Sequence, residues 1–598
     1  MQTQTTKKTG TKIKTKKTPQ DYTFITGAKY VWKLKKPNPE IISKISNNHN
    51  LSLPIAHTLY SRDFIDKNII NAYLFSSYEQ DVSHSNLLTD AGKAIERILK
   101  AIENKEKILI FGDYDVDGVT STSLLLLTLI PLGAQINYYL PIRKKDGYGL
   151  SKDVVLKAIQ NKYTLIITVD NGITAHPAAQ DAHDAGIDVI ITDHHQPHGV
   201  LPTAYAVVNP NQKSCVYPFK LLAGVGVTFK LMQLLCEHKN ITMPEKAYEL
   251  LALGTVADVV PLIHENRYWV RYGLSKINKN RSHAISVLAQ NSMLTKPILS
   301  SIDVGFMIAP QINALGRLDD PREAVKFLIS DNFTEVERIG IVLKKMNEER
   351  KIIEQRIYSE ITEAIFAKSI NLEQENLIMA GNKNWQSGVI GLVAGKLMHN
   401  FGKPTILFHL DNTGIAKGSC RSIPEFNIFH ALQECQDLLL TFGGHACAAG
   451  LSLKQENVPE LKERLEALIA KTVAPQDLLP KITLDAYLEL GDATNKLMSD
   501  MDQLEPFGNQ NPQPTFLIKN VTLLKQPMLL KDKHVKCFLF SNGVIKPVIF
   551  FNRPDIYAKL AHIGETPFDL AGHVVKNEWM DNVSIELQGL DIAINSQE

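Results

Sequence analysis

Four apolar segments, three ending in acids and one carrying an acid within it, constrain this chain more than any other feature. Ile108-Leu-Ile-Phe-Gly-Asp113-Tyr-Asp115-Val-Asp117-Gly118 closes on three aspartates at alternate positions. Thr164-Leu-Ile-Ile-Thr-Val-Asp170 ends in one, and Asp188-Val-Ile-Ile-Thr-Asp193-His194-His195 ends in an acid and two histidines. Leu251-Ala-Leu-Gly-Thr-Val-Ala-Asp258-Val-Val-Pro-Leu262 carries a single acid and no other charge. Helical spacing over 91–102, 119–130, 151–161 and 175–185 alternates with strand patterns over 108–112, 135–140, 164–169 and 187–192. That order predicts an α/β fold with a parallel sheet covered on both faces. Parallel neighbours share direction, so the acids converge on the carboxyl edge, where open α/β sheets bind ligands. Alternate residues of an extended chain point the same way, so the three aspartates should project together. Crowded carboxylates repel one another unless a cation, a proton or solvent compensates. Taken singly, a strand-end aspartate also serves as a helix N-cap and a histidine as a surface or core residue. Jointly, hard carboxylates with one imidazole suit Mn²⁺ or Mg²⁺ better than zinc.

The chain has 598 residues, too many for one core. Its longest apolar run, Leu124 to Leu132, is too short to span a bilayer, and no segment reads as a secretory signal. Six scattered cysteines without a C-x-x-C pair argue against a zinc cluster or a disulfide framework and fit a reducing cytoplasm. The net charge of +2 conceals an uneven distribution, because residues 1–20 hold six lysines and no acid. This tail, extended to residue 35, is expected to be disordered. It could touch nucleic acid by charge alone or merely aid solubility.

Farther along, apolar residues three and four apart with charges between them predict one long amphipathic helix over 332–368. A second lobe, 369–474, contains two glycine-rich stretches. Lys417-Gly-Ser419-Cys-Arg421-Ser422 groups two cations with two hydroxyls, a set suited to phosphate. Phe442-Gly443-Gly444-His445-Ala-Cys-Ala-Ala-Gly450 is expected to open a small-residue helix. From 475 to 598 the pattern changes to alternation, with about five strands that suggest an OB-fold β-barrel for nucleic acid. Lys531, Lys533, Lys536 and exposed aromatics such as Phe540 are its candidate contacts.

The motif Asp113-Tyr-Asp-Val-Asp-Gly, with Val169-Asp-Asn-Gly-Ile, Asp193-His-His and Gly254-Thr-Val-Ala-Asp-Val-Val-Pro, resembles the DHH phosphoesterase superfamily. The last three are spaced as in its RecJ branch, the 5′→3′ single-strand-specific DNA exonucleases. Pro141-Ile-Arg143-Lys-Lys-Asp-Gly-Tyr-Gly149, Pro310-Gln-Ile-Asn313-Ala-Leu-Gly316-Arg317-Leu and Glu505-Pro-Phe-Gly-Asn-Gln-Asn-Pro512 extend the match. The resemblance implies a DHH domain over 36–331, a connecting helix, a DHH-associated substrate-binding domain and the OB-fold. It implies two Mn²⁺ or Mg²⁺ ions among Asp113, Asp115, Asp117, Asp170, His194 and Asp258, with Asp115 and Asp170 bridging. His195 would orient or protonate at the phosphate, and Arg317 would neutralise charge on its oxygens. Arg143, Ser419 and Arg421 would hold a 5′-terminal phosphate, and Asn313 and His445 would contact substrate. The expected setting is DNA recombination and repair by a cytoplasmic monomer, beside a single-strand-binding protein and a helicase. One departure stands out: Trp385-Gln386-Ser387-Gly388-Val389 has Gln386 where related proteins commonly have histidine. A DHH-type phosphodiesterase or pyrophosphatase acting on a small nucleotide, and a scaffold without catalysis, are the rival readings.

Overall fold

The computed structural model describes residues 21–142, 149–579 and 582–594, so Arg143 and the lysines of residues 1–20 lie outside the described residues. The chain divides into two compact units. One is split in sequence: it takes the chain up to Ile70, then Lys481–Asp502 and Pro514 onward. The other is central and comprises Asn71–Pro480 with Gln503–Gln513.

The split unit begins with β1 (Tyr22–Thr26) and β2 (Val31–Lys35), an antiparallel hairpin. Residues 22–35 are therefore ordered strand, which corrects the expectation of a disordered tail reaching residue 35. Alternation in Val31-Trp-Lys-Leu-Lys puts Trp32 and Leu34 on one face, and both are fully buried. Lysines continue through the hairpin at Lys29, Lys33 and Lys35, but apolar residues now alternate with them and supply a buried face.

In the central unit, β3 (Lys107–Gly112), β4 (Gln135–Tyr139), β5 (Leu165–Val169), β6 (Asp188–Thr192) and β7 (Ala206–Val208) form a parallel sheet in the order β4-β3-β5-β6-β7. Strand alternation separates its two faces. Ile108, Ile110, Leu165 and Ile167 join one apolar cluster, whereas Leu109, Phe111, Ile166 and Val189 join another. Helices α1 (Val116–Leu129), α2 (Gly224–Lys239) and α3 (Glu245–Ala257) pack together on the first of these faces. Helix α4 (Ala309–Leu318) leads towards α5 (Phe333–Phe366), the long helix the spacing predicts. Asn332 caps α5 through Glu335 N, a contact worth about 1 kcal/mol. Val336, Ile339 and Leu343 of α5 pack into the first core, and Ile357 and Ile361 into a different one. The helix thus joins two hydrophobic cores.

The second core lies on a sheet of order β11-β12-β10-β9-β8, comprising β8 (Ile378–Asn382), β9 (Thr405–Leu410), β10 (Ile415–Arg421), β11 (Leu439–His445) and β12 (Ala448–Lys454). Helix α6 (Ser387–Phe401) packs on β9 and β10. The stretch from Phe442 to Gly450, expected to open a helix, is instead the antiparallel β11–β12 hairpin. Small residues there serve close strand contact: a Cβ on Gly444 would lie 2.4 Å from the Ala448 carbonyl oxygen.

The split unit resumes with β13 (Lys481–Leu484), which pairs in parallel with β2. A seven-stranded sheet follows, built from β14 (Ala486–Tyr487), β15 (Phe516–Leu523), β16 (Met528–Leu530), β17 (His534–Ser541), β18 (Val544–Phe550), β19 (Phe568–Trp579) and β20 (Asn582–Ile594). Its order is β14-β15-β19-β20-β18-β17-β16, with a short further pairing of β15 with β17. Residues 36–70, expected within the DHH domain, also belong to this unit. The Arg62 guanidinium forks onto Asp485, and Ser52 N donates to Asp500 Oδ2.

Candidate active site

The carboxyl ends of β3, β5 and β6 are adjacent, so the loops leaving them meet. The α1 helix begins at Val116, earlier than the predicted residue 119, and this changes how the three aspartates point. Asp115 is the N-cap, its Oδ1 accepting from Gly118 N at 3.1 Å. Asp117 already lies in the first helical turn and turns inward. Its Oδ2 accepts from Gly224 N and its Oδ1 from Val225 N, both at 2.7 Å, at the start of α2. The expectation that all three project together from an extended strand therefore fails for Asp117, because the strand has ended.

Asp170 is buried and sits at φ +61°, a left-handed backbone that lets the chain turn sharply at the strand end. Its neighbour Gly224 has no Cβ because none would fit: one would lie 2.7 Å from Asp170 Oδ1. His194 follows β6, and its Nε2 lies 3.2 Å from Asp170 Oδ1, 3.7 Å from Asp258 Oδ2 and 4.0 Å from Asp117 Oδ2. These three atoms — Asp170 Oδ1, Asp258 Oδ2 and His194 Nε2 — are buried and form no hydrogen bond despite their proximity. Asp258 is not at a strand end. It caps the C-terminus of α3, a helix that delivers it to the same place.

Donor atoms gather in three overlapping sets, each within 4.8 Å: Asp113, Asp115 and Asp170; Asp117, His194 and Asp258; Asp170, His194 and His195. Asp170 belongs to two of the sets, as does His194. Burial, reinforced by Asp117 and Asp115, raises the Asp170 carboxyl well above the usual range, and the same causes raise Asp258. Burial, with Asp115 beside it, pushes Asp117 up to about 7, against the two backbone donors. Burial and the neighbouring His195 bring His194 down to about 4. His195 moves the other way. Burial opposes its charge, but Asp193 Oδ1 at 2.7 Å from Nδ1 outweighs that and holds the imidazole above its ordinary value.

A cleft of about 770 Å³ opens over these groups. Asp113, Asp115, Asp170, His195 and Asp258 line it from the sheet side, Asn313 and Arg317 from α4, and Arg421 and His445 from the second sheet. Asn313 Oδ1 accepts from Val116 N, so it also braces the aspartate loop. Arg317 Nη1 donates to the Gly388 carbonyl at 2.8 Å, tying α4 to the start of α6. Ser419 lines an adjoining cavity of about 540 Å³ that also reaches Arg421. Asp117 and His194 sit behind the cleft wall.

Sequence reasoning assigned no role to Asp193, Asn209 or Asn211. Asp193 fixes His195, while Asn209 Nδ2 and Asn211 Nδ2 donate to the carbonyls of His195 and His194. The signal was available in Asn209-Pro-Asn211 at the end of β7, a turn sequence on the same sheet edge. Gln196 and His198 also line the cleft, and no motif announced them; Phe442 joins them from the glycine-rich stretch.

Comparison with known proteins agrees with this architecture. Residues 107–255 match the DHH family N-terminal domain, 374–471 the DHHA1 domain and 484–591 the RecJ OB domain. The chain is 34% identical over 570 residues to the single-stranded-DNA-specific exonuclease RecJ of Bacillus subtilis, covering 95% of this chain and 71% of that protein. It is 36% identical over 487 residues to the Escherichia coli protein of the same name, covering 78% and 84%. The crystal structure of Thermus thermophilus RecJ in complex with Mn²⁺ superimposes with a TM-score of 0.78 at 26% identity, over 95% of this chain and 80% of that one. A manganese-bound exonuclease RecJ gives 0.56 at 31% identity, over 65% and 96%. Shared domains in the same order, and identity sustained across nearly the whole length, lead to one conclusion: the chain belongs to the RecJ family of single-stranded-DNA-specific exonucleases.

Proposed function

We propose that this enzyme removes nucleotides from the 5′ end of single-stranded DNA by metal-dependent phosphodiester hydrolysis, with two Mn²⁺ or Mg²⁺ ions held among Asp113, Asp115, Asp117, Asp170, His194 and Asp258. One observation carries the reading: buried Asp170 Oδ1, Asp258 Oδ2 and His194 Nε2 face one another without a hydrogen bond. Buried polar atoms left unpaired are costly, and an oxygen-rich donor set with imidazole fits a hard divalent cation. Such ions, when bound, activate water and neutralise the scissile phosphate.

The chain's own groups do the rest. Asp193 fixes the His195 ring at the cleft wall, where it orients or protonates at a phosphate oxygen. Arg317 offers a planar cation to the phosphoryl oxygens. Ser419 and Arg421, with Arg143, take the 5′-terminal phosphate and so set polarity. His445 contacts the strand from β11, and Asn313 holds the aspartate loop against the substrate. The six free cysteines support a reducing, cytoplasmic setting. A supply of single strand implies a helicase upstream and a single-strand-binding protein alongside, with the enzyme itself acting as a monomer.

Digestion of strands labelled at opposite ends tests the proposal. Label at the 5′ end should be released first, and Asp170→Ala should abolish Mn²⁺-dependent release without changing the melting temperature. Retained activity would sink the metal assignment. Arg421→Ala should weaken preference for 5′-phosphorylated ends. Turnover of a labelled dinucleotide in preference to a long strand would favour the small-nucleotide reading instead.

A further inference from the structure

The second sheet carries more phosphate-binding chemistry than one terminal phosphate requires. Strand registers align three polar rows on one of its faces. Arg421 pairs with Ala448, and Ala448 with His445; Ser419 with Gly450, and Gly450 with Gly443; Lys417 with Ser452, and Ser452 with Thr441. The Thr441 and Ser452 hydroxyls meet at 2.6 Å, which places the outer row on one face. His409 on β9 extends that row beside Lys417. Successive rows are two residues apart, about 6.6 Å at a strand's rise of roughly 3.3 Å per residue. The middle row is floored by glycine, and a Cβ added at Gly443 would meet nothing within 4 Å. A trough therefore runs from Arg421, past Ser419, to Lys417.

The cavities follow the same line. The one holding Ser419 shares Arg421 and Gly444 with the catalytic cleft. At its other end it shares Ser387 and Lys417 with a third cavity of about 390 Å³, which Lys383, Gln386 and His409 line. Ser387 is the first residue of α6, whose amino end favours anions. The buried Gln386 amide oxygen has no partner; turned over, the amide would present a donor there. Asp411 is the nearby acid, but its Oδ1 is occupied by Thr413 and Ile415, and its other oxygen meets Lys417 only at 3.9 Å.

We propose that this trough binds the β- and γ-phosphates of a 5′-triphosphate end, with Lys417 and Lys383 as their counter-charges. The proposal rests on Ser419 and Arg421 holding the first phosphate. The distance from Ser419 to the Lys417 row is close to the reach of two phosphoanhydride links. The enzyme would then accept single strands whose first nucleotide carries a 5′-triphosphate. Water adds to phosphorus and the P–O3′ bond breaks. The first product is a nucleoside 5′-triphosphate with a free 3′-hydroxyl, and the shortened strand bears a 5′-phosphate.

The test uses one oligonucleotide sequence with a 5′-hydroxyl, 5′-monophosphate or 5′-triphosphate end, digested by the full chain and by Lys417→Gln, Lys383→Gln and the double variant. Anisotropy in EDTA measures binding separately from turnover. The wild type should digest the triphosphate end at least as well as the monophosphate end and release the nucleoside triphosphate intact. The double variant should lower the triphosphate-to-monophosphate ratio of kcat/KM, and of affinity, about tenfold. A wild type that prefers monophosphate over hydroxyl but rejects triphosphate overturns this proposal alone, as does an unchanged ratio in the double variant or release of pyrophosphate. Indifference between hydroxyl and monophosphate ends overturns the terminal-phosphate site, and this proposal with it.

Discussion

Replacing Gly224 by alanine tests the site without touching a single proposed ligand. The new Cβ would lie 2.7 Å from both Cβ and Oδ1 of Asp170 and 2.9 Å from its Cγ, where ordinary contact begins near 3.4 Å. Either the carboxylate retreats by about 0.7 Å or α2 withdraws, and the second loosens the Gly224 N bond to Asp117 Oδ2. Overpacking of this kind costs about 1–3 kcal/mol. Catalytic constellations tolerate roughly 0.5 Å, and a displacement near 1 Å costs on the order of 10²-fold in rate. Gly224→Ala should therefore lower kcat/KM on a 5′-phosphorylated single strand about a hundredfold. Manganese affinity should weaken in a calorimetric titration, while melting drops by only a few degrees. Gly226→Ala is the control on the same helix, since the nearest atoms its Cβ would meet are those of the Leu222 side chain, from 3.3 Å outward. It should stay within about threefold of the wild type. If Gly224→Ala also stays within threefold in both activity and manganese affinity, the position of the Asp170 carboxylate does not matter and the metal site has been misread.

Two further outcomes concern the split unit. Burial brings His57 down to about 4, whereas the unfolded chain binds that proton near 6.5. Stability is then full above pH 6.5 and falls as pH drops towards 4, by up to about 3 kcal/mol; melting at pH 7.5 and 4.5 should show the loss, and His57→Gln should reduce it. Asp591 is fully buried and accepts from Lys29 N, Tyr30 N, Trp32 Nε1 and Arg553 Nη2. Asp591→Ala should cost about 3–5 kcal/mol, and hydrogen exchange should show residues 22–35 losing protection; unchanged protection would mean that other contacts hold the hairpin.

Much of the catalytic sheet is legible in the chain because apolar strand runs and their terminal acids are local patterns. The long helix 333–366 is legible for the same reason, its apolar spacing repeating over many turns. What local pattern cannot convey is where a backbone changes state. Asp117 falls one residue inside a helix and so faces backbone donors from residues 224 and 225, more than a hundred positions away. Asp258 arrives on a helix because α3 packs against α1, a tertiary fact. The Phe442–Gly450 stretch misleads because small residues suit a close helix and a close hairpin equally. Trp32 and Leu34 look like the end of a polar tail until their partners, in β13 and around Asp591, are known. Gln386 carries no charge to draw attention to it, and only the structure shows its amide oxygen buried beside the cavity that Lys383 and His409 line.

The hairpin of β1 and β2 has a consequence for how the protein is made. Its parallel neighbour β13 and its buried acceptor Asp591 are encoded some 450 and 560 residues later. At roughly 5–20 residues per second, a ribosome holds Trp32 and Leu34 without their final partners for tens of seconds. Meanwhile the central unit, whose chain is finished first, has everything it needs to fold. Nascent chains cut short after residue 513 would thus carry a complete central unit and a hairpin still lacking Asp591, a marker by which quality-control machinery could tell an unfinished nuclease from a complete one.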